Sequence, residues 1–337
     1  MRDDPQVLPY LLPLPARGSR AAKRPSYILE PKARLAVRLA WATGRPLLVV
    51  GEPGCGKTDL ASALSLAWGV PLLRHVVTAQ SKAEDLLFQF DAVARLADAQ
   101  VYAALKVEAL DPLNPRLYLR PGPLWWAMNW SSAKKLVDGQ QAAGKSATQM
   151  RAHNSKWRPE HGCVVLLDEI DKAGIELPEG LLDVMDTGGF DVPWTGERIL
   201  PLHDEPASDQ PRTRPPLIVI TSNGARDLPA PFLRRCVVLA MGVPESGLPE
   251  WLQSRARAHF GPKQCSDEAI KEAAALIAHD RELARTEERY VPGLAEYLDL
   301  LAAVADLAPQ APAREQVKLL QSLAPAVTAD KGRASYQ

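Results

Sequence analysis

The chain has 337 residues, with 40 Lys plus Arg against 40 Asp plus Glu and a formal net charge of zero. That balance gives no overall electrostatic pull toward nucleic acid or an anionic membrane, so any such surface would have to be local. The length suits one large α/β domain plus a smaller one.

Taken in chain order, residues 1–26 carry prolines and arginines without periodicity and read as a flexible tail. Tyr27 to Thr43 spaces as a helix, with Leu35, Leu39, Ala36 and Ala40 on one side. Leu47–Val50 is a short apolar run of the kind that forms a buried parallel strand. Asp59–Trp68 returns to helical spacing. Pro71–Val77 reads as a second strand and Gln80–Leu110 as largely helical. Arg120–Pro121–Gly122–Pro123 punctuates the chain before Trp125 and Trp126. Residues 131–158 then turn to Ser, Ala, Gln and Lys. Their Lys134, Lys135, Lys145, Arg151, Lys156 and Arg158 stand against Asp138, so the segment reads as a basic, partly flexible insertion.

Cys163–Leu167 is a third buried strand and Leu177–Met185 the helix behind it. Phe190–Leu202 reads as a hairpin around Thr195–Gly196, and Leu217–Thr221 as another buried strand. From Pro244 strand signals stop. Ser266 with Asp267 and Glu268 starts a helix, and Pro292 opens a further one through Leu307. The division expected is a tail (1–26), an α/β domain (27–243, with the 131–158 insertion), a helical lid (244–320) and a C-terminal tail (321–337).

No apolar run approaches the roughly twenty residues needed to span a bilayer. Leu8–Leu14 is interrupted by proline, unlike a signal peptide, and a cytoplasmic location is expected. Cys55, Cys163, Cys236 and Cys265 are scattered without a C-x-x-C pair, against a disulfide framework or a zinc site.

Gly51–Glu52–Pro53–Gly54–Cys55–Gly56–Lys57–Thr58 fits the phosphate-loop pattern G-x-x-x-x-G-K-S/T at every required position, with a strand before it and a helix after it. Glycines let successive backbone N–H groups turn around an anion, and the helix that Asp59 continues adds its N-terminal dipole. Lys57 reaches the β- and γ-phosphates and Thr58 offers its hydroxyl to Mg²⁺. Cys55 inside the loop reads as structural rather than nucleophilic.

Val164–Val–Leu–Leu–Asp168–Glu169 places two carboxylates at the end of an apolar strand, where open α/β sheets bind ligands. The first suits Mg²⁺ and the second can deprotonate an attacking water. Asn223, at the end of the Leu217–Thr221 strand, can orient that water, or can serve its own turn. Arg234 and Arg235 follow; either could neutralise charge on a transferred phosphoryl group, or both could be surface charges. The basic insertion could grip nucleic acid or an acidic partner with Trp125, Trp126 and Trp130 as anchors, but a solvated loop with core-packed tryptophans is the simpler reading.

Phosphate loop, Asp-Glu, strand-end Asn, then Arg before a helical lid: this order resembles an AAA+ ATPase. Arg120–Pro–Gly–Pro–Leu–Trp125, Leu166–Leu–Asp–Glu–Ile–Asp–Lys–Ala173 and Leu181–Leu–Asp–Val–Met185 are similar to the MoxR-like, dynein-related branch. The resemblance implies an α/β fold, a P-loop parallel sheet with a C-terminal α-helical lid, that hydrolyses ATP with Mg²⁺. Residues 52–59 (Glu52, Pro53, Gly54, Cys55, Gly56, Lys57, Thr58, Asp59) would cradle the nucleotide. Thr58 and Asp168 would serve the metal, Glu169 would be the base and Asn223 the first sensor. Arg235 matches the finger position better than Arg234, and the choice between them stays open.

The resemblance also implies a homo-oligomeric ring, expected to be a hexamer, that remodels a protein client beside a von Willebrand factor A-domain partner. The alternatives are a nucleic-acid-directed motor or defence ATPase, and an assembly module gated by ATP with little turnover. Where the family carries a second sensor arginine, this chain reads Tyr290–Val–Pro–Gly–Leu–Ala–Glu296, with only Arg289 nearby.

Overall fold

The computed structural model describes residues 8–15, 25–105, 113–145, 156–201, 214–287 and 291–327. In chain order come β1 (Leu11–Pro13), β2 (Ser26–Ile28), α1 (Pro31–Thr43), β3 (Leu47–Gly51), α2 (Lys57–Trp68) and β4 (Leu72–Val76). Then follow α3 (Ala83–Leu87), β5 (Phe88–Phe90), α4 (Ala92–Ala104), β6 (Leu119–Pro121), α5 (Pro123–Met128), α6 (Trp130–Ala142), β7 (Val164–Asp168) and α7 (Glu176–Thr187). After these come β8 (Phe190–Val192), β9 (Glu197–Ile199), β10 (Leu217–Ser222), α8 (Ala230–Arg235) and β11 (Val237–Met241). Four helices close the described chain: α9 (Leu248–His259), α10 (Asp267–Thr286), α11 (Leu294–Leu307) and α12 (Ala313–Val327).

The central element is a parallel five-stranded sheet in the order β11-β3-β10-β7-β4. All five residues of β7 are buried, which is why its sequence is continuously apolar up to Asp168 rather than alternating. Its register is Val164 opposite Leu72 on one side and Leu217 on the other, so the carboxyl ends of β4, β7 and β10 finish together. The strand β11 carries no signal as clear: its burial alternates along Val237–Met241, and the sequence reading passed over it.

The chain divides into two compact units. One contains β1, β2, α2 and the C-terminal helices. There Leu252, Ile277, Tyr297, Leu300, Leu301, Val304 and Leu320 form the lid core. Ser266 caps α10, its side chain accepting the N–H of Ala269, as the Ser-Asp-Glu signal implies. The helix α12 runs past the expected boundary at 320.

The other unit contains β4 to β10, with α3, α5 and α7 packed together. Trp125, Trp126 and Trp130 are buried. Ring contacts join Trp125 to Phe190, Trp126 to Trp130, and Trp130 to Trp157. The tryptophans are therefore core, and the simpler reading of them holds.

Several sequence expectations change. Within 1–26, Leu11–Pro13 pairs antiparallel with Ser26–Ile28, and Leu8, Leu12 and Leu14 are buried, so the apolar stretch there is part of the fold. The helix expected from Tyr27 begins at Pro31, whose ring suits a first turn. Its inward face is Ala33, Val37 and Ala40, while Leu35 and Leu39 are exposed, because the small residues allow the closer approach. The Gln80–Leu110 helix is split by β5, which pairs with β6. The first half of the 131–158 segment is the ordered helix α6, with Ala133 and Val137 buried. Arg151 and residues 146–155 lie outside the described residues, as do Arg289 and Tyr290.

Candidate nucleotide site

The phosphate loop runs from the end of β3 to the start of α2. A Cβ on Gly51 would stand 1.9 Å from the Met241 carbonyl oxygen, so that position admits only glycine. Gly54 and Gly56 have φ of +75° and +93°, conformations that L side chains rarely adopt. Cys55 between them is buried, and burial pushes its thiol up, away from the reactive thiolate. Lys57 is almost fully buried and its ammonium donates to the carbonyls of Gly51 (2.7 Å) and Glu52 (2.8 Å). The cation is thereby held within the loop.

Beside the loop lies a cavity of ≈ 90 Å³, lined among others by Tyr27, Cys55, Asp59, Met241, Trp251 and Leu294. Its lining sets apolar walls beside the charged side chains of Glu30, Asp59 and Arg255. Arg255, also on its wall, stacks 3.8 Å over the Trp251 ring and pairs with Glu30. Burial raises the Tyr27 phenol, which stays protonated and points its hydroxyl at the Met241 sulfur. Cys55 and Asp59 belong to the phosphate-loop segment, but the sequence reading missed Tyr27, Trp251, Arg255 and Leu294, since none belongs to a motif and they come from three separate segments.

The second constellation belongs to the other unit. Asp168 is buried at the end of β7. One of its oxygens accepts the Thr221 hydroxyl (2.8 Å), and the other accepts the Arg74 guanidinium (2.7 Å). Parallel register puts Arg74 opposite Leu166, two residues before Asp168 and so on the same face of the sheet. Thr221 also accepts the Glu169 N–H (2.8 Å), so one hydroxyl fixes both acidic residues.

Glu169 has φ +64° and ψ +53°, left-handed for a residue with a side chain. Such strain persists only where surrounding contacts over-determine it, and it concentrates at functional sites. Its carboxylate is held from two sides: Asn223 Nδ2 donates to Oε1 at 3.3 Å, and Lys172 Nζ pairs with Oε2. The same pairing raises the Lys172 amine.

Asp171 was not singled out from sequence. It is buried, and both its oxygens accept the Asn223 N–H (3.2 Å each) while one also takes the Ala225 N–H (3.0 Å). It therefore shapes the turn that presents Asn223. The structure brings Asp168, Glu169 and Asn223 together at neighbouring strand ends, and Thr221, not singled out from sequence, joins them.

Arg234 and Arg235 end α8. Arg235 makes a two-pronged pair with Asp186 of α7 (2.9 and 2.6 Å), which holds that carboxyl below the usual range. Arg45 donates to the carbonyls of Arg235 (3.0 Å), Cys236 (2.9 Å) and Arg234, closing the helix end. Arg234 is exposed. In the basic segment, Lys134 pairs with Asp138 and Lys145 with Asp98, so these cations are engaged within the chain. Among the described residues no cluster of three or more His, Cys, Asp or Glu could hold a metal by itself. No described helix is long and apolar enough to cross a membrane.

The family model described as "AAA domain (dynein-related subfamily)" matches residues 46–252, well over half the chain. Among curated proteins none matches. Similar solved structures include Thermotoga maritima RuvB as a Pro-to-Gly mutant, at 17% identity and a TM-score of 0.42, covering 88% of this chain and 69% of that one. A Thr-to-Val form of the same protein is 14% identical with a TM-score of 0.44, covering 88% and 68%. RuvB described as a Holliday junction branch migration motor is 16% identical with a TM-score of 0.41, covering 86% and 66%. The match over 46–252 settles the family: this chain is an AAA+ protein of the dynein-related subfamily.

Proposed function

We propose that the chain binds ATP through Gly51–Thr58 and hydrolyses it, with Glu169 as the base. The observation that carries the reading is the Glu169 carboxylate, held by Asn223 on a left-handed backbone at a strand end, in a chain with an intact phosphate loop. Asn223 would fix the attacking water, and Glu169 would take its proton. Lys57 and the loop N–H groups would hold the β- and γ-phosphates.

An Mg²⁺ ion would be served by the Thr58 hydroxyl and the Asp168 carboxylate, oxygen donors that suit a hard cation needing few protein ligands beside a triphosphate. Once bound, it would neutralise charge on the phosphates. Arg74 is half exposed, so its guanidinium could turn to solvent while the ion takes its place on the buried Asp168 oxygen.

We further infer action in a ring, with Arg234 or Arg235 serving a neighbouring copy and a protein client as the cargo. The exposed end of α8 supports this reading, as does the subfamily. Comparing Glu169→Gln with wild type tests the function. The variant should bind ATP with unchanged affinity and hydrolyse it at least a hundredfold more slowly. An undiminished rate would end the enzyme reading.

A further inference from the structure

Arg281 lies on α10 with its side chain only 4% exposed, yet it is charged and far from every motif in the sequence. A buried guanidinium is costly unless paired. Its partner is Glu52, the second residue of the phosphate loop, through Nη2 and Oε2. Its other nitrogen, Nη1, donates to the Pro292 carbonyl (3.0 Å), fixing the turn that leads into α11.

That turn abuts the same loop. A Cβ on Gly54 would lie 3.1 Å from the Ala295 side chain and 3.9 Å from Glu296 Oε2. Glu296 is buried, and Oε2 accepts the Gly293 N–H (2.8 Å). Two carboxylates, Glu52 and Glu296, therefore stand at a loop whose chemistry is anion binding. Both would repel a triphosphate, and Arg281 sits against Glu52.

We propose that Arg281 sets the affinity of the phosphate loop for nucleotide by cancelling the Glu52 charge and pinning the lid to the loop. It is a positioning residue that acts through Glu52. The proposal rests on the reading that the loop binds ATP.

The test is titration of full-length protein with a fluorescent ATP analogue, for wild type, Arg281→Met, Glu52→Gln and the double variant. Thermal unfolding without nucleotide is measured alongside, and Arg281→Lys serves as a charge-keeping control. Uncovering one negative charge beside the phosphates should raise Kd about tenfold in Arg281→Met. Glu52→Gln leaves the Arg281 charge uncovered beside the phosphates and should bind more tightly than wild type, the double variant should return to within about threefold of wild type, and Arg281→Lys should stay close to it. A double variant as weak as Arg281→Met would overturn the proposal, since the arginine would then act on something other than Glu52. So would an unchanged Kd in Arg281→Met. If the wild type itself failed to bind, the ATP reading would fall and this proposal with it.

Discussion

The Asn223 amide donates to Glu169 Oε1 at 3.3 Å, joining the ends of two neighbouring strands through their side chains. The Asn223 backbone N–H is taken in turn by Asp171, two residues beyond Glu169. One short segment thus carries both the proposed base and the residue that aims its partner. Replacing Asp171 by Ala should swing Asn223 away without touching the phosphate loop. The expected outcome is kcat lowered about tenfold or more with KM nearly unchanged, the pattern of an interaction made only in the transition state. Steady-state ATPase kinetics check it.

Gly51 should tolerate no side chain. Gly51→Ala forces a Cβ to within 1.9 Å of the Met241 carbonyl, a backbone atom that cannot swing aside. Destabilisation of about 2–3 kcal/mol is expected, by analogy with other overpacked sites. Urea unfolding should show it as a lower midpoint at unchanged slope.

The two arginines at the end of α8 should separate in function. Arg235 is paired with Asp186, whereas Arg234 is exposed. If Arg234 serves the neighbouring copy, Arg234→Ala should lower ATPase turnover by at least 10³-fold while leaving nucleotide binding intact, and Arg235→Ala should act mainly on stability. Mixing either variant with Lys57→Ala protein gives the cleaner readout: activity should return only where a finger-competent copy meets a nucleotide-competent one.

Acidification should weaken the sheet through His75. Burial lowers its imidazole below the ordinary value, although the Asp85 charge pulls the other way, and its buried Nε2 has no hydrogen-bond partner among the described residues. A folded-state value below the unfolded one means the unfolded chain binds the proton more readily. The stabilisation is thus present above the ordinary imidazole range and is lost as pH falls through it. Melting temperatures across that range should decline in wild type and decline less in His75→Leu.

The legible parts of the sequence were those whose chemistry is local. Gly51–Thr58 and Asp168–Glu169 are contiguous, so spacing alone placed them at the ends of strands. Ser266 announced α10 for the same reason. What escaped was assembled from afar: Arg74 meets Asp168 across 94 residues and Arg281 meets Glu52 across 229. Which side of α1 is covered was not legible, because apolar spacing gives a helical face but not the side on which a neighbour packs; Ala33, Val37 and Ala40 took that side. Asp171 has no role that spacing assigns, and only its contacts with Asn223 and Ala225 show its use.

The proposed role of Glu169 is to activate water for attack on a bound ATP. Single-turnover hydrolysis by Glu169→Gln, with nucleotide binding measured on the same sample, tests it most directly. The expected result is an ATP Kd within about threefold of wild type and a chemical step slowed a hundredfold or more. ATP bound and cleaved at the wild-type rate would contradict it.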